Sequence, residues 1–480
     1  MKPTSQFFQL CFTASLLLSS ACAVNPVTGK KQVVLMSEAQ ELAMGTQADP
    51  DVIAFFGLYD DDKLQQFIRT KGKEIAAVSH RSKLPYEFKI VDSSVINAFA
   101  TPGYVYFTRG IIAHFNNEAE FAGVLGHELG HITARHAVIQ QRNSTLGQLG
   151  LIAGIILVPE LTDFVEPLSQ GMQLALLSFG RDAERQADEL GVEYSSRIGY
   201  DASEMAVFFQ TLERQDAASG GEKIPEFLST HPSPEKRTAT VAKLAEEWKK
   251  KLALTDPKVS RDNYLKRIDG LIVGENPKQG FVENQNFYHP VLKIEFPVPQ
   301  GWSLQNTPQQ VQMAPPSGEA LLMLSMAPGS TLEESATQIM EQYRLTQVDS
   351  KKETINGLNS LLVIADQIQE EGTIRVLFTL IQFQGNTYNL MGVAEISKFQ
   401  GFESTFLSTI RNFKELREAD KLNRTPDVIR IKTVPNRMTL EAALQNFRMP
   451  KERFAELELL NGILLTEHVE KGTLIKVLGK

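Results

Sequence analysis

The chain has 480 residues, which is too long for one ordinary domain and predicts two or three. Its hydrophobic fraction of 42% and charged fraction of 22% are ordinary for a globular protein. The net charge of −8 argues against a nucleic-acid partner, because such proteins present a basic face. The basic run at 249–251 is typical of the solvated end of a helix.

The N-terminus has the pattern of a targeting segment. An apolar stretch, residues 7–20, is too short for a standard membrane span. It ends in Leu18-Ser19-Ser20-Ala21-Cys22, which resembles the bacterial lipobox, in which cleavage before the cysteine precedes lipidation of its thiol. This resemblance implies a signal peptide at 1–21 and a lipoprotein anchored at Cys22, facing the periplasm. Ala23 after the cysteine implies the outer membrane, and an ordinary secretory signal is the alternative.

Residues 22–254 are predicted to form an α-rich (α+β) first domain. In chain order we expect helices at 37–45, 61–78, 116–136, 182–199, 203–215 and 233–252, with strands at 86–91 and 104–107. The run Leu146–Val158 is almost purely apolar but too short to span a bilayer. It is either a buried or lid helix near the site, or a membrane-dipping or substrate-binding segment.

The sequence His127-Glu128-Leu129-Gly130-His131 lies on the helix that Asn116 or Asn117 caps. Because residues four apart share one face of a helix, His127 and His131 can direct two imidazoles at one metal ion, with Glu128 beside them. A catalytic zinc site needs a third protein ligand, and Glu184 on a later helix is the candidate.

A third histidine ligand close by in the sequence is excluded by spacing. The metzincin pattern requires glycine and histidine at positions that hold Ala134 and Ala137 here. His136 is one position away from that pattern, and we expect it to pack or to orient structure.

Three separated motifs occur in order and together resemble the minigluzincin metallopeptidases, which include HtpX-, BepA- and LoiP-like proteases. These motifs are His127–His131, Glu184-x-x-Ala187-Asp188, and His231-Pro232-Ser233-Pro234 with Arg237. The resemblance covers roughly residues 30–250. It implies a zinc metalloendopeptidase with one Zn²⁺ per chain, bound by His127, His131 and Glu184. Glu128 then accepts a proton from zinc-bound water as that water attacks a peptide carbonyl.

Further roles follow from this resemblance. Asp188 is expected to orient a ligand histidine, and Arg237 to anchor Asp188; a plain ion pair is the alternative. His231 has two functional interpretations, as an oxyanion stabiliser or as a fourth zinc ligand that keeps the enzyme latent. Residues Tyr104, Val105, Tyr106 and Phe107 form a candidate edge strand for an extended substrate, with an internal core strand as the alternative.

The rest of the chain is predicted to form two further units after a linker at 255–288. Residues 289–416 read as an α+β domain with an antiparallel sheet, and its Phe296–Trp302 opening and Phe402–Phe413 helix resemble the PsbP-like fold. Residues 425–480 have the strand–helix–helix–strand order of a small LysM-like unit. That unit either binds glycan or has a structural or docking role.

We therefore expect a zinc endopeptidase of the bacterial envelope that cleaves unfolded or misassembled envelope proteins. Its expected partners are those substrates, the outer membrane through a lipid anchor, and either peptidoglycan or an assembly machine, with no nucleic acid. The alternative from another class is a periplasmic chaperone or assembly factor with a latent zinc site. A cell-wall glycan or amide hydrolase is a further alternative, which depends on the LysM-like unit alone.

Overall fold

A computed structural model describes residues 22–33, 36–141, 161, 164, 170–218, 226–232, 236–370 and 372–480. The expected signal peptide and the apolar run at 146–158 lie outside these residues, as do Ser233 and Pro234. No helix in the described ranges is long and apolar enough to cross a membrane.

The described helices are α1 (Glu38–Phe56), α2 (Asp62–Val78), α3 (Arg109–His114), α4 (Glu118–Thr133), α5 (His136–Gln141), α6 (Gln170–Ala175), α7 (Arg181–Arg197), α8 (Glu204–Ala218), α9 (Glu226–Thr230), α10 (Arg237–Lys251), α11 (Arg261–Arg267), α12 (Leu332–Gln342), α13 (Ile396–Arg411), α14 (Ala419–Leu422), α15 (Leu440–Asn446) and α16 (Phe454–Asn461). The described strands are β1 (Cys22–Val24), β2 (Lys31–Val33), β3 (Glu87–Val91), β4 (Ala98–Thr101), β5 (Tyr104–Thr108), β6 (Ile272–Val273), β7 (Phe281–Glu283), β8 (Asn286–His289), β9 (Ile294–Pro297), β10 (Ser303–Asn306), β11 (Gln310–Ala314), β12 (Ala320–Met326), β13 (Thr346–Ile355), β14 (Leu358–Ile368), β15 (Thr373–Phe383), β16 (Asn386–Glu395), β17 (Lys414–Glu415), β18 (Asp427–Thr433), β19 (Met438–Thr439), β20 (His468–Val469) and β21 (Leu474–Gly479).

The first domain contains a small three-stranded sheet in the order β3-β5-β4. Strand β5 pairs with β3 in parallel and with β4 in antiparallel fashion. The prediction that Tyr104–Phe107 is an edge strand is therefore wrong. The chain turns at Gly103, where φ is +86°, so the residues just before β5 form the outer strand instead. That outer strand is β4, Ala98–Thr101.

Helix α1 is longer than the sequence predicts, since it continues past Gly45 to Phe56. Gly45 does not end the helix but allows it to touch the β4–β5 turn. A Cβ atom at this position would lie 1.8 Å from the carbonyl oxygen of Pro102. The glycine is therefore required for packing of α1 against the sheet, a contact that local sequence does not reveal.

Two helices carry the candidate metal ligands and pack closely together. We call α4 the histidine helix and α7 the carboxylate helix. Asn117 caps the histidine helix by accepting a hydrogen bond from the backbone N–H of Glu120. Every residue of this helix is buried. Its contact with the carboxylate helix depends on glycine, because a Cβ atom at Gly191 would lie 2.9 Å from the carbonyl oxygen of Gly123.

The central domain is built on a seven-stranded antiparallel sheet in the order β10-β11-β12-β16-β15-β14-β13. A second sheet has the order β17-β9-β8-β7. Helix α13 covers one face of the large sheet, where Phe399, Phe406 and Ile410 are buried, and α12 packs on the other face. Helices, antiparallel sheets and several domains confirm the mixed α/β multidomain class. Strand β13 is almost wholly exposed and polar, so it lacks the alternating hydrophobic pattern by which a strand is predicted from sequence.

Two residues from the chain segment between the two ligand helices enter the core of the central domain. Leu161 and Phe164 are buried against the sheet face that α12 covers. The Phe164 ring stacks on Tyr343, with ring centroids 5.6 Å apart. Two side chains from this segment therefore complete one face of the central domain's core.

The C-terminal unit forms its sheet together with residues that precede the central domain. Strand β18 pairs with β21 on one side and with β6 on the other. Sequence analysis predicted a linker at 255–288. This range contains α11, β6, β7 and the first residues of β8. The central domain is inserted between two neighbouring strands of one sheet. The resemblance of 425–480 to a LysM repeat stays a prediction.

The first domain and the C-terminal unit share one hydrophobic core. Ile429, Leu457 and Ile475 belong to the same buried cluster as Phe121 and Leu125 of the histidine helix. The C-terminal unit is therefore packed into the body that holds the candidate site and is not a separate module on a tether.

Candidate metal centre

Four side chains from three parts of the chain converge at one buried point. His127 and His131 come from the histidine helix, Glu184 from the carboxylate helix, and His231 follows α9. All four are buried, and one ligand atom from each lies within 4.8 Å of the others. The structure thus brings together the three predicted ligands and the residue for which two interpretations were open.

Four separations between these atoms match the spacing of neighbouring ligands on one ion. His127 Nε2 lies 3.1 Å from His131 Nε2 and 3.4 Å from His231 Nδ1. Glu184 Oε1 lies 3.1 Å from His231 Nδ1 and 3.5 Å from His131 Nε2. Zinc–nitrogen bonds of about 2.0–2.1 Å in a tetrahedron place neighbouring ligand atoms about 3.3 Å apart. The donor set and its spacing are therefore those of a bound cation.

A carboxylate orients His127. Its Nδ1 lies 2.9 Å from Asp188 Oδ1, while Nε2 faces the other ligand residues. Arg237 holds Asp188 through Nε at 2.9 Å and Nη2 at 2.7 Å. Burial alone would raise the pKa of Asp188, but Arg237 and His127 outweigh it and hold that pKa below its usual value. Asp188 therefore stays an acceptor.

A different partner lies behind His131. Its Nδ1 lies 3.0 Å from Nδ1 of His136, and Nε2 of His136 lies 3.0 Å from Oε1 of Gln186. Sequence analysis predicted only a general packing or orienting role for His136 and no role for Gln186. His136 reaches this place because Arg135 adopts a left-handed conformation, with φ of 64°, between α4 and α5. An arginine carries no sequence signal for such a turn.

Glu128 lies beside the four ligand residues but is not one of them. Its Oε1 is 3.5 Å from Nε2 of His231, and neither carboxylate oxygen has a hydrogen-bond partner among the described residues. Burial raises the pKa of Glu128, an effect that the nearby His231 and His127 partly oppose. A buried carboxylate without a hydrogen-bonded partner is expensive in a purely structural role.

His231 also contacts the outer strand of the small sheet. Its Nε2 lies 3.2 Å from the carbonyl oxygen of Ala98, which leaves Nδ1 directed at the centre. The backbone N–H of Phe227 donates to the carbonyl oxygen of Ile96 at 3.1 Å. The 226–231 segment thus contacts the chain at Ile96 and Ala98, on the side of β4 that faces away from β5.

The remaining predicted residues lie elsewhere. Tyr104–Phe107 form the central strand of the small sheet, where the Tyr106 hydroxyl donates to Asp49 Oδ1 at 2.8 Å. Strand β4, which the sequence did not indicate as the edge, is the strand beside His231. Cys22 begins strand β1, far along the chain from the site.

A helix-borne histidine pair completed by a glutamate from a second helix, with a further glutamate beside it, defines the glutamate-ligand class of metallopeptidases. Residues 62–245 match the model described as peptidase family M48. The chain therefore carries a metallopeptidase domain of family M48, the range of which includes His127, His131, Glu184 and His231.

Curated relatives support the same assignment. The chain is 31% identical over 249 residues to the beta-barrel assembly-enhancing protease of Yersinia pestis, covering 50% of each chain. It is 29% identical over 253 residues to the same-named protein of Escherichia coli strain K12, again covering 50% of each. The mitochondrial metalloendopeptidase OMA1 of Arabidopsis thaliana is 31% identical over 185 residues, which cover 38% of this chain and 36% of that protein. The chain thus spans half or less of the length of these relatives.

Among solved structures, cyanobacterial PsbP from Synechocystis is similar over 27% of this chain and 91% of its own, with 12% identity and a TM-score of 0.23. The yeast Ran-binding protein Mog1p is similar over 28% of this chain and 97% of its own, with 9% identity and a TM-score of 0.22. The strand order of the central domain is established by its own hydrogen-bonded pairing.

Proposed function

We propose that the protein is a zinc-dependent endopeptidase that cleaves unfolded or misassembled proteins of the bacterial envelope. The observation that carries the proposal is the convergence of four buried ligand atoms with Glu128 beside them. His127, His131 and Glu184 hold the ion, and bound Zn²⁺ supplies Lewis acidity toward a peptide carbonyl and lowers the pKa of water.

Glu128 is the residue of this chain that moves protons. It accepts a proton from the attacking water and delivers it to the nitrogen of the leaving amine. Its lack of a hydrogen-bond partner among the described residues leaves both oxygens able to do this. The ion pair of Asp188 with Arg237 keeps His127 in the tautomer that binds metal through Nε2.

The outer strand β4 is the proposed binding edge for an extended substrate. The carbonyl of Asn97 accepts from the N–H of Thr108 in β5, so the alternate residues Ala98 and Ala100 direct their backbone groups away from β5. His231 already contacts Ala98, and Ala100 is the next outward position. Binding through backbone hydrogen bonds depends little on the side chains of the substrate. Such binding suits substrates that share an unfolded backbone and not a particular sequence.

His231 supports a second candidate function, a chaperone or assembly factor with a latent zinc site. With Nδ1 near the centre, His231 takes a fourth ligand position and leaves no place for water. This orientation favours the fourth-ligand interpretation over an oxyanion role. A protein held permanently in this arrangement binds clients without cleaving them.

The envelope location rests on the lipobox-like sequence at Cys22 and on relatives whose names refer to beta-barrel assembly. We propose an outer-membrane lipoprotein that faces the periplasm and acts on envelope proteins. Peptidoglycan or an assembly machine is the proposed partner of the C-terminal unit. Failure of purified peptidoglycan to retain the protein would remove the glycan option and, with it, the cell-wall hydrolase.

The test is cleavage of unfolded casein by residues 23–480 loaded with zinc, beside Glu128→Gln, with zinc content measured for both. Cleavage by the parent alone, at equal zinc content, supports the endopeptidase. Glutamine keeps the shape of the side chain but cannot accept the proton. Zinc binding without cleavage by either protein, repeated with His231→Ala, would favour the chaperone.

A further inference from the structure

We propose that His136 and Gln186 are positioning residues, which set the hydrogen on His131 so that its Nε2 lone pair points at the metal. This inference rests on the zinc site of the proposed function but not on proteolysis. It begins from the contacts behind His131, where Nδ1 of His131 meets Nδ1 of His136 at 3.0 Å and His136 Nε2 meets Gln186 Oε1 at 3.0 Å.

The direction of these hydrogen bonds follows from the amide. Because an amide oxygen only accepts, Nε2 of His136 carries a hydrogen and donates it to Gln186. A neutral His136 then has a lone pair on Nδ1, which accepts from the Nδ1–H of His131. His131 is left with its lone pair on Nε2, the atom that lies 3.1 Å from Nε2 of His127.

Other proton arrangements do not fit this geometry together with a bound cation. If His136 carried hydrogens on both nitrogens, two N–H groups would meet head-on between the Nδ1 atoms of His136 and His131. If the amide of Gln186 were reversed, its N–H would make His136 donate to His131, and His131 would direct an N–H at the cation. The orientation of the Gln186 side chain therefore determines whether Nε2 of His131 directs a lone pair or an N–H at the cation.

The ring of His131 is also held from its face. Phe179 stacks on it with ring centroids 4.2 Å apart and an angle of 24° between the planes. The turn that brings in His136 is fixed by Arg135, whose Nε lies 2.9 Å from Glu41 Oε2 and whose Nη2 donates to the carbonyl of Met36. These contacts leave His131 little freedom to rotate away from the centre.

The two ligand histidines thus have unlike partners. His127 has the carboxylate of Asp188 2.9 Å from its Nδ1, whereas His131 has a neutral imidazole at its Nδ1. Glu128, Glu184 and Asp188 already place three carboxylates in this buried space, with Arg237 as a counter-charge. The neutral side chains of His136 and Gln186 orient His131 without adding a fourth buried negative charge, which would be costly to desolvate.

The test compares zinc affinity of the purified protein by competition with a chromophoric chelator. Gln186→Met removes the acceptor at similar volume, and His136→Phe removes both nitrogens. We expect Gln186→Met and His136→Phe to weaken zinc binding about 10- to 100-fold, the usual effect of losing such a partner. The control Arg185→Lys, which changes an exposed neighbour, should stay close to the parent.

Thermal unfolding of the metal-free proteins separates positioning from general damage. Gln186→Met should unfold at nearly the temperature of the parent while binding zinc more weakly. Parent-like zinc affinity in Gln186→Met would overturn the proposal, and so would an equal loss in Arg185→Lys. Because zinc affinity is measured in the Glu128→Gln background as well, absence of proteolysis does not affect the result.

Discussion

The ammonium group of Lys476 donates to the carbonyl oxygen of Phe115 at 2.7 Å, across 361 positions of the chain. Two further carbonyls accept from the same group, Ala113 at 2.8 Å and Leu460 at 2.7 Å. Lys476 is fully buried. One side chain of the C-terminal unit therefore provides the hydrogen-bond donor for backbone carbonyls that lie just before the histidine helix.

Lys476→Met should destabilise the protein by about 3 kcal/mol or more. The substitution keeps most of the buried volume but leaves three carbonyl acceptors without their donor, and each unsatisfied buried group costs about 1–3 kcal/mol. Urea unfolding followed by intrinsic fluorescence measures the change. The matched control is Lys471→Met in the same unit, where the side chain is exposed. Equal midpoints for the two variants would contradict this role of Lys476.

His231→Ala should raise basal proteolysis of casein above that of the parent. Removing the imidazole frees the fourth ligand position and, at the same time, the carbonyl of Ala98 on the binding edge. Initial rates at saturating zinc measure the effect. An unchanged or lower rate would show that His231 does not hold the enzyme latent and would return the oxyanion role to consideration.

Backbone methylation of a peptide substrate should reveal which amides meet strand β4. Outside the scissile bond, N-methyl groups at alternate positions should each slow cleavage at least about fivefold, the effect of losing roughly 1 kcal/mol of hydrogen bonding. Methyl groups at the intervening positions should matter little, because backbone groups alternate in direction along a strand. A series of singly methylated peptides measures kcat/KM. Equal effects at neighbouring positions would argue against pairing with Ala100.

Acid should destabilise the protein partly through His114. Burial lowers the pKa of this ring to about 4, its Nδ1 bond to the Gly110 carbonyl partly opposes the shift, and nearby Lys476 adds to it. In the unfolded chain the pKa is about 6.5, so between pH 6.5 and 4 the unfolded state binds a proton that the folded state does not. The free energy of unfolding therefore falls as pH is lowered through this window.

His114→Asn keeps a donor for the carbonyl of Gly110 but does not titrate in this range. Its urea midpoint should fall less than that of the parent between pH 7 and pH 5. His468→Asn, which changes an exposed histidine, serves as the control and should fall as the parent does. A parent and a His114→Asn variant with the same loss would exclude His114 as a source of acid sensitivity.

Local spacing predicted the ligands that lie on regular helices. His127 and His131 are one turn apart, and Glu184 and Asp188 repeat that spacing on a second helix. Contacts that depend on how the chain folds back at a turn could not be predicted from local spacing. The outer position of β4 depends on how the turn at Gly103 folds back, because strand propensity does not distinguish an edge from a centre.

Strand pairing between distant parts of the chain was the other feature that the sequence did not predict. Ile272 pairs with Val428, and no local pattern joins a two-residue strand to a partner beyond an intervening domain. The contact of His136 with His131 needed the left-handed turn at Arg135, a conformation that the residue type does not announce.

The shared core sets an order of events during biosynthesis. Residues 62–245 leave the ribosome well before Ile429 and Ile475, yet those two side chains belong to the cluster that encloses the histidine helix. A nascent or prematurely ended chain therefore holds every metal ligand without the frame that fixes them. The hydrophobic cluster around the histidine helix is therefore complete only once the C-terminal unit has been translated.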